Sequence, residues 1–284
     1  MLNNYLVRYT MRFRLYREHG AMNSLAVFDA FEQGLLALGH EVVQSNSDVD
    51  VIWSVLWHGR MERNAVIYEA ARTINKPVVI LEVGTLIRGT TWKVSLNHIN
   101  ALGVYNHETD LDESRPSKLG LSLKDNATRK PEILLALQHQ DSLQWQHKKS
   151  TVDWIEDTIS EIRQYTDRTV IVRPHPRSLV FVKIRKDVHM ELPKRVAHTY
   201  DCYDIDYDYH CVVNYNSGPS MQAAIHGTPV VCDSTSLAYP VSSLISTIDN
   251  PVLPDREDWF LKLTHTEWTL DEIATGLPLK RLRI

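Results

Sequence analysis

Short apolar stretches alternate with amphipathic helical patterns along most of the chain, and this alternation constrains the fold more than any other feature of the sequence. Residues 77–83 and 133–138 read as buried strands, whereas residues 151–165 repeat apolar side chains at helical spacing. Strands that alternate with helices are typical of parallel sheets covered by helices on both faces. The sequence therefore predicts an α/β protein.

The chain is long enough for two such units. Its 284 residues allow two domains of about 140 residues each, and a polar, proline-punctuated stretch at residues 108–131 separates the two sets of strands and helices. We predict two Rossmann-like domains with a central cleft, one over residues 1–125 and one over residues 126–284 with terminal helices that cross back. Ligands in such folds bind at the carboxyl ends of the strands, so the cleft is the expected site.

Composition and motifs exclude several classes of protein. No run approaches the ~20 apolar residues that span a bilayer, so we expect a cytoplasmic protein without membrane insertion. The three cysteines form no Cys-x-x-Cys pair, and the aspartates of residues 201–208 lack the glycine and glutamate of a calcium loop, so no metal site is expected. The absence of GxGxxG after the first strand and of GxxxxGK[ST] argues against nicotinamide dehydrogenases and P-loop kinases.

The segment at residues 214–231 has the pattern of a strand, a small polar turn, a short helix and a second strand. A proline in the first helical turn leaves backbone N–H groups and the positive end of the helix dipole facing the cleft, where an anionic phosphate would bind. Ser217 and Ser220 add hydroxyl groups, and Gly218 allows close approach of the backbone. The alternative is an ordinary capped helix.

A second motif, Arg173-Pro174-His175-Pro176-Arg177, follows the strand predicted at residues 169–172. The prolines fix the backbone at the carboxyl end of that strand. Arginine matches phosphate geometry with its planar guanidinium, and imidazole can donate to a phosphoryl oxygen or a leaving group. The alternative is a rigid surface turn with solvated arginines.

Together these motifs resemble the C-terminal domain of GT-B glycosyltransferases, in which a strand ending in His-Pro is followed by a serine-rich turn and a helix reading Ala-x-x-x-Gly-x-Pro-Val. The match covers residues 133–233 and looks like the branch that contains capsular-polysaccharide transferases, glycerophosphotransferases of teichoic-acid synthesis and phage sugar transferases. In those families the two loops bind the phosphates of the donor. The resemblance carries that role over to His175, Ser217 and Ser220.

The resemblance implies a nucleotide-sugar donor, a UDP-sugar by our expectation, and no tightly bound cofactor. Ala223 and Ala224 stand where many GT-B enzymes place an acidic residue that holds the donor, which leaves Gln222 as the candidate substitute. Gln138 and Ser142, after the first strand of the second domain, are further donor-side candidates. A polar loop without function is the alternative there.

The N-terminal domain would then bind the acceptor. Glu82 ends a buried strand, where a carboxylate is costly unless it is paired or functional, and we predict that it acts with His175 and His58 in catalysis. Pairing of Glu82 with an arginine is the alternative. A strand predicted at residues 4–9 leads into a polar, basic loop that ends at Gly20. The candidate acceptor-binding residues are Arg12, Arg14, Arg17, His19, Trp57, Arg60 and Arg88.

The sequence thus predicts transfer of a sugar from a nucleotide-sugar to a hydroxyl group. For the acceptor we expect hydroxymethylated pyrimidines in double-stranded phage DNA, modified in the host cytoplasm, although the formal net charge of −4 gives no overall attraction to nucleic acid. Two alternatives remain open. One is a capsular or lipid-linked glycan glycosyltransferase or glycerophosphotransferase, and the other is a non-catalytic subunit that binds nucleotide-sugars.

Overall fold

The computed structural model describes residues 10–125, 129–145, 149–180, 185–199 and 202–284. The strand predicted at residues 4–9 lies outside these ranges. In chain order, the first part of the protein forms β1 (Arg12–Leu15), α1 (Leu25–Ala37), β2 (Glu41–Val42), β3 (Val49–Trp53), α2 (Glu62–Thr73), β4 (Val78–Val83), β5 (Trp92–Leu96) and α3 (Arg115–Lys118).

The second part also alternates strands and helices. It forms β6 (Ile133–Ala136), α4 (Thr151–Ile162), β7 (Val170–Arg173), β8 (Val188–Met190), β9 (Lys194–Arg195), β10 (Tyr203–Asp204), β11 (Cys211–Asn214), α5 (Gly218–His226), β12 (Val230–Cys232), α6 (Glu257–Thr264), β13 (Glu267–Trp268), α7 (Leu270–Ala274) and α8 (Leu277–Leu282). The protein is therefore a mixed α/β fold.

The first sheet has the strand order β13-β5-β4-β3-β1-β2. Strands β1 to β4 run parallel, whereas β5 is antiparallel to β4 and β13 is antiparallel to β5. Strand β1 lies within the stretch that we predicted as a polar, basic loop, and that prediction is wrong. Arg12, Phe13, Arg14 and Leu15 alternate polar and apolar side chains, and Phe13 is fully buried, which is the period of a strand with one face on the core.

The second sheet has five parallel strands in the order β12-β11-β6-β7-β8. Its core packs α4 against β6 and β7 through Ile133, Leu135, Ile155 and Ile159. The chain runs outward from β6 to β7 and β8 on one side and later to β11 and β12 on the other. The strand order therefore reverses between β6 and β11, and such a switch point opens a crevice at the carboxyl ends of the strands.

The C-terminal segment returns to the first sheet, because β13 pairs with β5. Arg115 holds it in place: Nε donates to the carbonyl of Thr264 (2.6 Å), Nη2 donates to the carbonyl of Glu267 (2.6 Å), and the guanidinium pairs with Glu272 and lies 4.3 Å from the ring centre of Trp268. Residues 267–282 thus pack with the N-terminal half. The domain boundary at residues 125 and 126 stays a prediction.

A short backbone ribbon joins the two halves near the cleft. The N–H of Trp57 donates to the carbonyl of Asp141 (2.9 Å), and the N–H of Leu143 donates to the carbonyl of Val55 (2.9 Å). These bonds fix the segment after β3 against the segment after β6, so the carboxyl ends of the two sheets face each other. Within the described residues, no helix combines the length and apolar character needed to cross a membrane.

Candidate functional site

A cavity of about 520 Å³ lies between the two sheets, where segments that follow β3, β4, β6, β7 and β11 converge. Its volume is in the range typical of small-molecule sites. Ten of the residues predicted from the sequence line it: Glu82, Arg88, Gln138, Ser142, Arg173, His175, Arg177, Ser217, Gly218 and Gln222. The structure therefore brings both donor-side motifs and the candidate carboxylate of the other half to one cavity.

The N-terminus of α5 opens toward this cavity. Ser217 has an extended backbone (φ −103°, ψ −176°) and its side chain makes no capping bond to the helix. Its hydroxyl instead accepts from Asn214 Nδ2 (3.0 Å). The backbone N–H groups of Gly218 and Ser220 have no hydrogen-bond acceptor in the described parts of the chain. Open N–H groups at the positive end of a helix dipole form a site suited to an anion.

His175 contributes a neutral donor to the same cavity. Its Nδ1 accepts a hydrogen bond from the backbone N–H of Arg177 (3.1 Å), so the proton of the neutral ring lies on Nε2. Burial, together with the nearby His139, Arg177 and Arg88, lowers the pKa of His175 to about 3. The ring is therefore uncharged at neutral pH in the empty cavity, and its Nε2–H can donate to an anionic oxygen.

Two amide side chains at the switch point between β6 and β11 each have one polar atom without a hydrogen-bond partner in the described structure. Gln138 Oε1 accepts from the backbone N–H of Asn216 (3.2 Å), which leaves Nε2 without a partner in the described structure. Asn216 Nδ2 donates to the carbonyl of Gln144 (3.1 Å) and to Thr235 Oγ1 (2.8 Å), while its Oδ1 has no partner there. Buried polar groups are normally satisfied, so these two atoms indicate bound water or ligand at this place. The sequence analysis did not identify Asn216.

The arginines of the Arg-Pro-His-Pro-Arg motif differ in their environment. Arg173 is buried and bound to Glu191 (2.5 Å), to the carbonyl of Asp206 (2.7 Å) and to Tyr209 Oη (3.2 Å). These contacts use its guanidinium to secure the loop, so the predicted phosphate role does not fit Arg173. Arg177 is exposed at the rim of the cavity, where its charge can act on an anion.

The opposite wall carries Glu82 at the end of β4. Its Oε2 accepts from Ser54 Oγ (2.6 Å) and its Oε1 accepts from the backbone N–H of Val83 (2.8 Å). Burial raises the pKa of Glu82, while the Ser54 hydrogen bond and the charge of Lys93 oppose that rise. Ser54 has a left-handed backbone (φ +63°), an unusual conformation for serine, which places its hydroxyl on Glu82. No arginine pairs with this carboxylate within the described residues.

Lys93 and Glu267 form the part of this wall that the sequence analysis missed. Lys93 lines the cavity and is only 3% exposed, and Glu267 is fully buried beside it in the sheet. Glu267 accepts from the N–H of Thr85 (2.7 Å), from the N–H of Leu86 (2.9 Å) and from Thr91 Oγ1 (2.8 Å). It therefore fixes the loop at residues 84–91.

That loop contacts the N-terminus of α5. A Cβ at Gly218 would lie 3.2 Å from Thr85 Cγ2, so the close approach made possible by this glycine is to the loop. Gln222 donates its Nε2–H to the carbonyl of Thr85, which makes it a link between the two halves of the protein. The predicted donor-binding role of Gln222 is not what its contacts favour.

Several other predicted site residues lie away from the cavity. Ser220 is fully buried, and its hydroxyl donates to the carbonyl of Ser217 (3.0 Å) and lies 3.1 Å from Ser236 Oγ, so it cannot face a phosphate in this conformation. His58 is 67% exposed at its side chain and contacts Asp141 (3.4 Å) outside the cavity. Trp57 does not line the cavity; it is partly buried against the core, with 5.8 Å between its ring centre and that of Tyr68.

The basic residues predicted to bind the acceptor do not surround the cavity. Arg12 pairs with Asp48 (2.9 Å), and Arg17 pairs with Asp29 and Glu32 (2.6 Å each). Arg14 lies over the ring of Tyr16, with 4.4 Å between its Cζ and the ring centre. His19 and Arg60 line a separate surface hollow. Arg12 and Arg14 lie in β1 instead of in the predicted loop, and neither lines the cavity.

No group of three or more metal-ligating side chains occurs in the described part of the chain. The side of the cavity formed by the second sheet carries groups suited to an anion, namely the N-terminus of α5 and His175. The side formed by the first sheet carries the carboxylate of Glu82. This arrangement can hold a phosphorylated ligand in the second half and direct its reactive end toward Glu82.

No protein-family model and no curated protein matches the chain. Among solved structures, KpsC, beta Kdo 2,4 transferase, of Thermosulfurimonas dismutans is 12% identical, with a TM-score of 0.50 over 95% of this chain and 98% of that chain. The chain shares the fold of that protein. KpsC, beta Kdo 2,7 transferase, of the same organism is 11% identical, with a TM-score of 0.49 over 95% of this chain and 99% of that chain. At these identities the likeness concerns the fold alone.

Proposed function

We propose that the protein is a glycosyltransferase of the GT-B kind that moves a sugar from a nucleotide-sugar to a hydroxyl acceptor. The observation that carries this proposal is the single cavity in which the open N-terminus of α5 and the neutral His175 face Glu82 of the other sheet. Similarity in fold to a sugar transferase agrees with it. The donor lies on the C-terminal half and the acceptor on the N-terminal half.

The donor wall stabilises the leaving group. When the bond from the anomeric carbon to the phosphate oxygen breaks, negative charge grows on the phosphate. The N–H group of Gly218, the Nε2–H of His175 and the charge of Arg177 are the groups available to receive it. Preorganised donors in a cavity that excludes water stabilise such charge strongly.

The acceptor wall prepares the hydroxyl group. A carboxylate at the end of β4 can accept the proton of the acceptor hydroxyl as its oxygen attacks. Ser54 donates to one oxygen of Glu82 and thereby orients the carboxyl group. His58 does not line the cavity, although its ring lies 5.6 Å from that of His139, which does, and its catalytic role stays a prediction.

For the acceptor, a glycan of the capsular kind is favoured over DNA. Arg12 and Arg17 are neutralised by carboxylates, and the cavity wall on the acceptor side carries buried charges instead of a basic surface that would track phosphates. The KpsC protein of similar fold is named a Kdo transferase, which agrees with transfer of a sugar. A UDP-sugar remains the first donor to test.

The test is a binding and transfer assay with a panel of nucleotide-sugars. We expect one donor to bind to the wild-type protein and to bind more weakly to His175→Ala. The control is His189→Ala, which removes an exposed histidine from β8 outside the cavity and should leave the donor affinity unchanged. Transfer to a capsular oligosaccharide, detected as a mass increase of one sugar, is the expected reaction. Binding without transfer or hydrolysis would leave a non-catalytic nucleotide-sugar-binding subunit.

Hydroxymethylated duplex DNA serves as the competing acceptor in the same assay. If DNA were the acceptor and Arg12, Arg14 and Arg17 each contacted a phosphate, the logarithm of the binding constant would fall with the logarithm of salt concentration with a slope of roughly −3. We expect no such dependence and no sugar on the DNA. Transfer to DNA would overturn the glycan proposal and leave the glycosyltransferase proposal intact.

A further inference from the structure

Three charged residues stand side by side on adjacent strands of the first sheet. Lys93 of β5 is directly opposite Glu82 of β4, and it is also directly opposite Glu267 of β13. Residues opposed in this way have Cβ atoms about 4.5–5.5 Å apart on the same face of the sheet. We refer to Glu82, Lys93 and Glu267 as the charged ladder. Lys93 and Glu267 are buried and Glu82 is partly buried, and buried charges persist only where they are paired or used, so the ladder requires an explanation.

The two carboxylates of the ladder differ in what surrounds them. Glu267 is fully buried and accepts three hydrogen bonds from the loop at residues 84–91, so its charge is used to hold that loop. Glu82 accepts from Ser54 and from its neighbour Val83, and it lines the cavity. Only Glu82 is therefore placed to meet a substrate.

Lys93 lies between the two carboxylates and uses few of its hydrogen-bond donors. Its ammonium donates one long hydrogen bond, to the carbonyl of Ile99 (3.4 Å), although an ammonium has three donors. It is 3% exposed and lines the cavity. The main effect of Lys93 is thus the attraction of a buried positive charge to the two opposing carboxylates, which is stronger here than it would be in water.

We propose that Lys93 is a positioning residue whose charge keeps Glu82 ionised, so that Glu82 can accept the proton of the acceptor hydroxyl. This inference rests on the proposed glycosyltransferase function. In the step concerned, the acceptor oxygen bonds to the anomeric carbon, the bond from that carbon to the donor phosphate breaks with its electron pair going to the phosphate, and the proton of the acceptor goes to Glu82. Lys93 remains protonated throughout.

Other charged and titratable groups near Glu82 bear on this assignment. On the N-terminal half they are Lys93, Glu267, Tyr105 and Arg88, and across the cavity they are His175 and Arg177. Burial raises the pKa of Glu82, and Lys93 lowers it. Burial also lowers the pKa of Lys93, while both carboxylates of the ladder raise it. Removing the charge of Lys93 therefore makes Glu82 harder to ionise, and removing the charge of Glu267 makes it easier.

The test compares the pH dependence of kcat/KM for sugar transfer in the wild-type protein and in Lys93→Met. A general base works in its ionised form, so the acidic limb of the profile should move to higher pH in Lys93→Met by about one pH unit, or tenfold in rate below the limb. Lys93→Arg, which keeps the charge, should restore most of the wild-type position. Lys118→Met removes an exposed lysine and controls for the change in net charge.

Glu267→Gln decides the question if Lys93→Met does not fold, since its acidic limb should move to lower pH. Donor affinity, measured separately, should be unchanged in Lys93→Met, because this substitution leaves Gly218 and His175 in place. An acidic limb that stays in place in the folded variants would overturn the role of Lys93. A wild-type protein that transfers no sugar from any donor would instead overturn the proposed function on which the inference rests.

Discussion

At the scale of single residues, the donor side of the cavity depends on a histidine that stays uncharged. The pKa of His175 is lowered to about 3 by burial and by neighbouring positive groups, so the free protein holds a neutral ring across the pH range of most assays. The pH dependence of kcat/KM reports the pKa values of the catalytic groups in the free enzyme. We therefore expect the proton NMR signals of the His175 ring to show no titration between pH 5 and pH 8, whereas an ordinary histidine titrates near 6.5.

Replacement of His175 with alanine should lower turnover by about two orders of magnitude, because a hydrogen bond made mainly in the transition state is worth ~2 to 4 kcal/mol. The melting temperature should change little, since the ring makes one hydrogen bond to the backbone of its own loop. Single-turnover measurements with saturating donor check this. Unchanged turnover, or a loss explained wholly by unfolding, would remove His175 from the mechanism.

Some residues of the site could be predicted from the sequence and others could not. His175 could be found because two prolines and a preceding strand fix it in a local pattern. Lys93 and Glu267 could not be found, because their pairing joins strands that are far apart in sequence, and β13 is too short to give a strand pattern. Ser220 was placed wrongly because the rotation of α5, which no local pattern fixes, turns its hydroxyl into the protein.

At the scale of elements, the contact between α5 and the loop at residues 84–91 links the two walls of the cavity. A methyl group at Gly218 would lie 3.2 Å from Thr85 Cγ2, closer than side chains normally pack, and 3.4 Å from Thr85 Oγ1. We expect Gly218→Ala to displace the loop and to weaken donor binding several-fold. Thr85→Ala/Gly218→Ala should recover binding, because it removes both of these Thr85 atoms. A double variant as weak as Gly218→Ala would contradict this account.

The attachment of the C-terminal segment should be measurable as stability. Arg115 is 4% exposed and bonds to Thr264, Glu267 and Glu272, so Arg115→Ala leaves buried acceptors without a partner. Loss of one partner of a buried ion pair costs about 3–5 kcal/mol in the free energy of unfolding. Lys118→Ala breaks an exposed pair with Asp112 and should cost about 0–1 kcal/mol. Urea denaturation compares the two, and equal losses would contradict the role of Arg115.

The apolar patterns of the sequence predicted the strands and helices better than they predicted how the chain connects them. The buried strands and the helices between them follow from apolar periodicity, which depends on local sequence. Strand β1 was missed because its two arginines gave it the composition of a basic loop, although one apolar face was present. That single error also displaced the predicted acceptor surface, since Arg12 and Arg14 were assigned to the edge of the cleft.

At the scale of the whole molecule, the central claim is that one cavity holds a nucleotide-sugar between the two sheets. The sequence predicted an α/β protein and a cleft at the carboxyl ends of its strands, and the structure has both an α/β fold and a cavity at that place. The ribbon between residues 55–57 and 141–143, and the return of β13 to the first sheet, depend on pairings between distant segments. Local patterns do not encode such pairings.

A crystal structure of the protein with an uncleaved nucleotide-sugar tests this claim most directly. We expect the phosphate groups within hydrogen-bond distance of the Gly218 N–H and of His175 Nε2, and the sugar directed toward Glu82 across the cavity. A nucleotide-sugar bound at another surface, or one whose phosphates lie away from the N-terminus of α5 while its base occupies that place, would contradict the account.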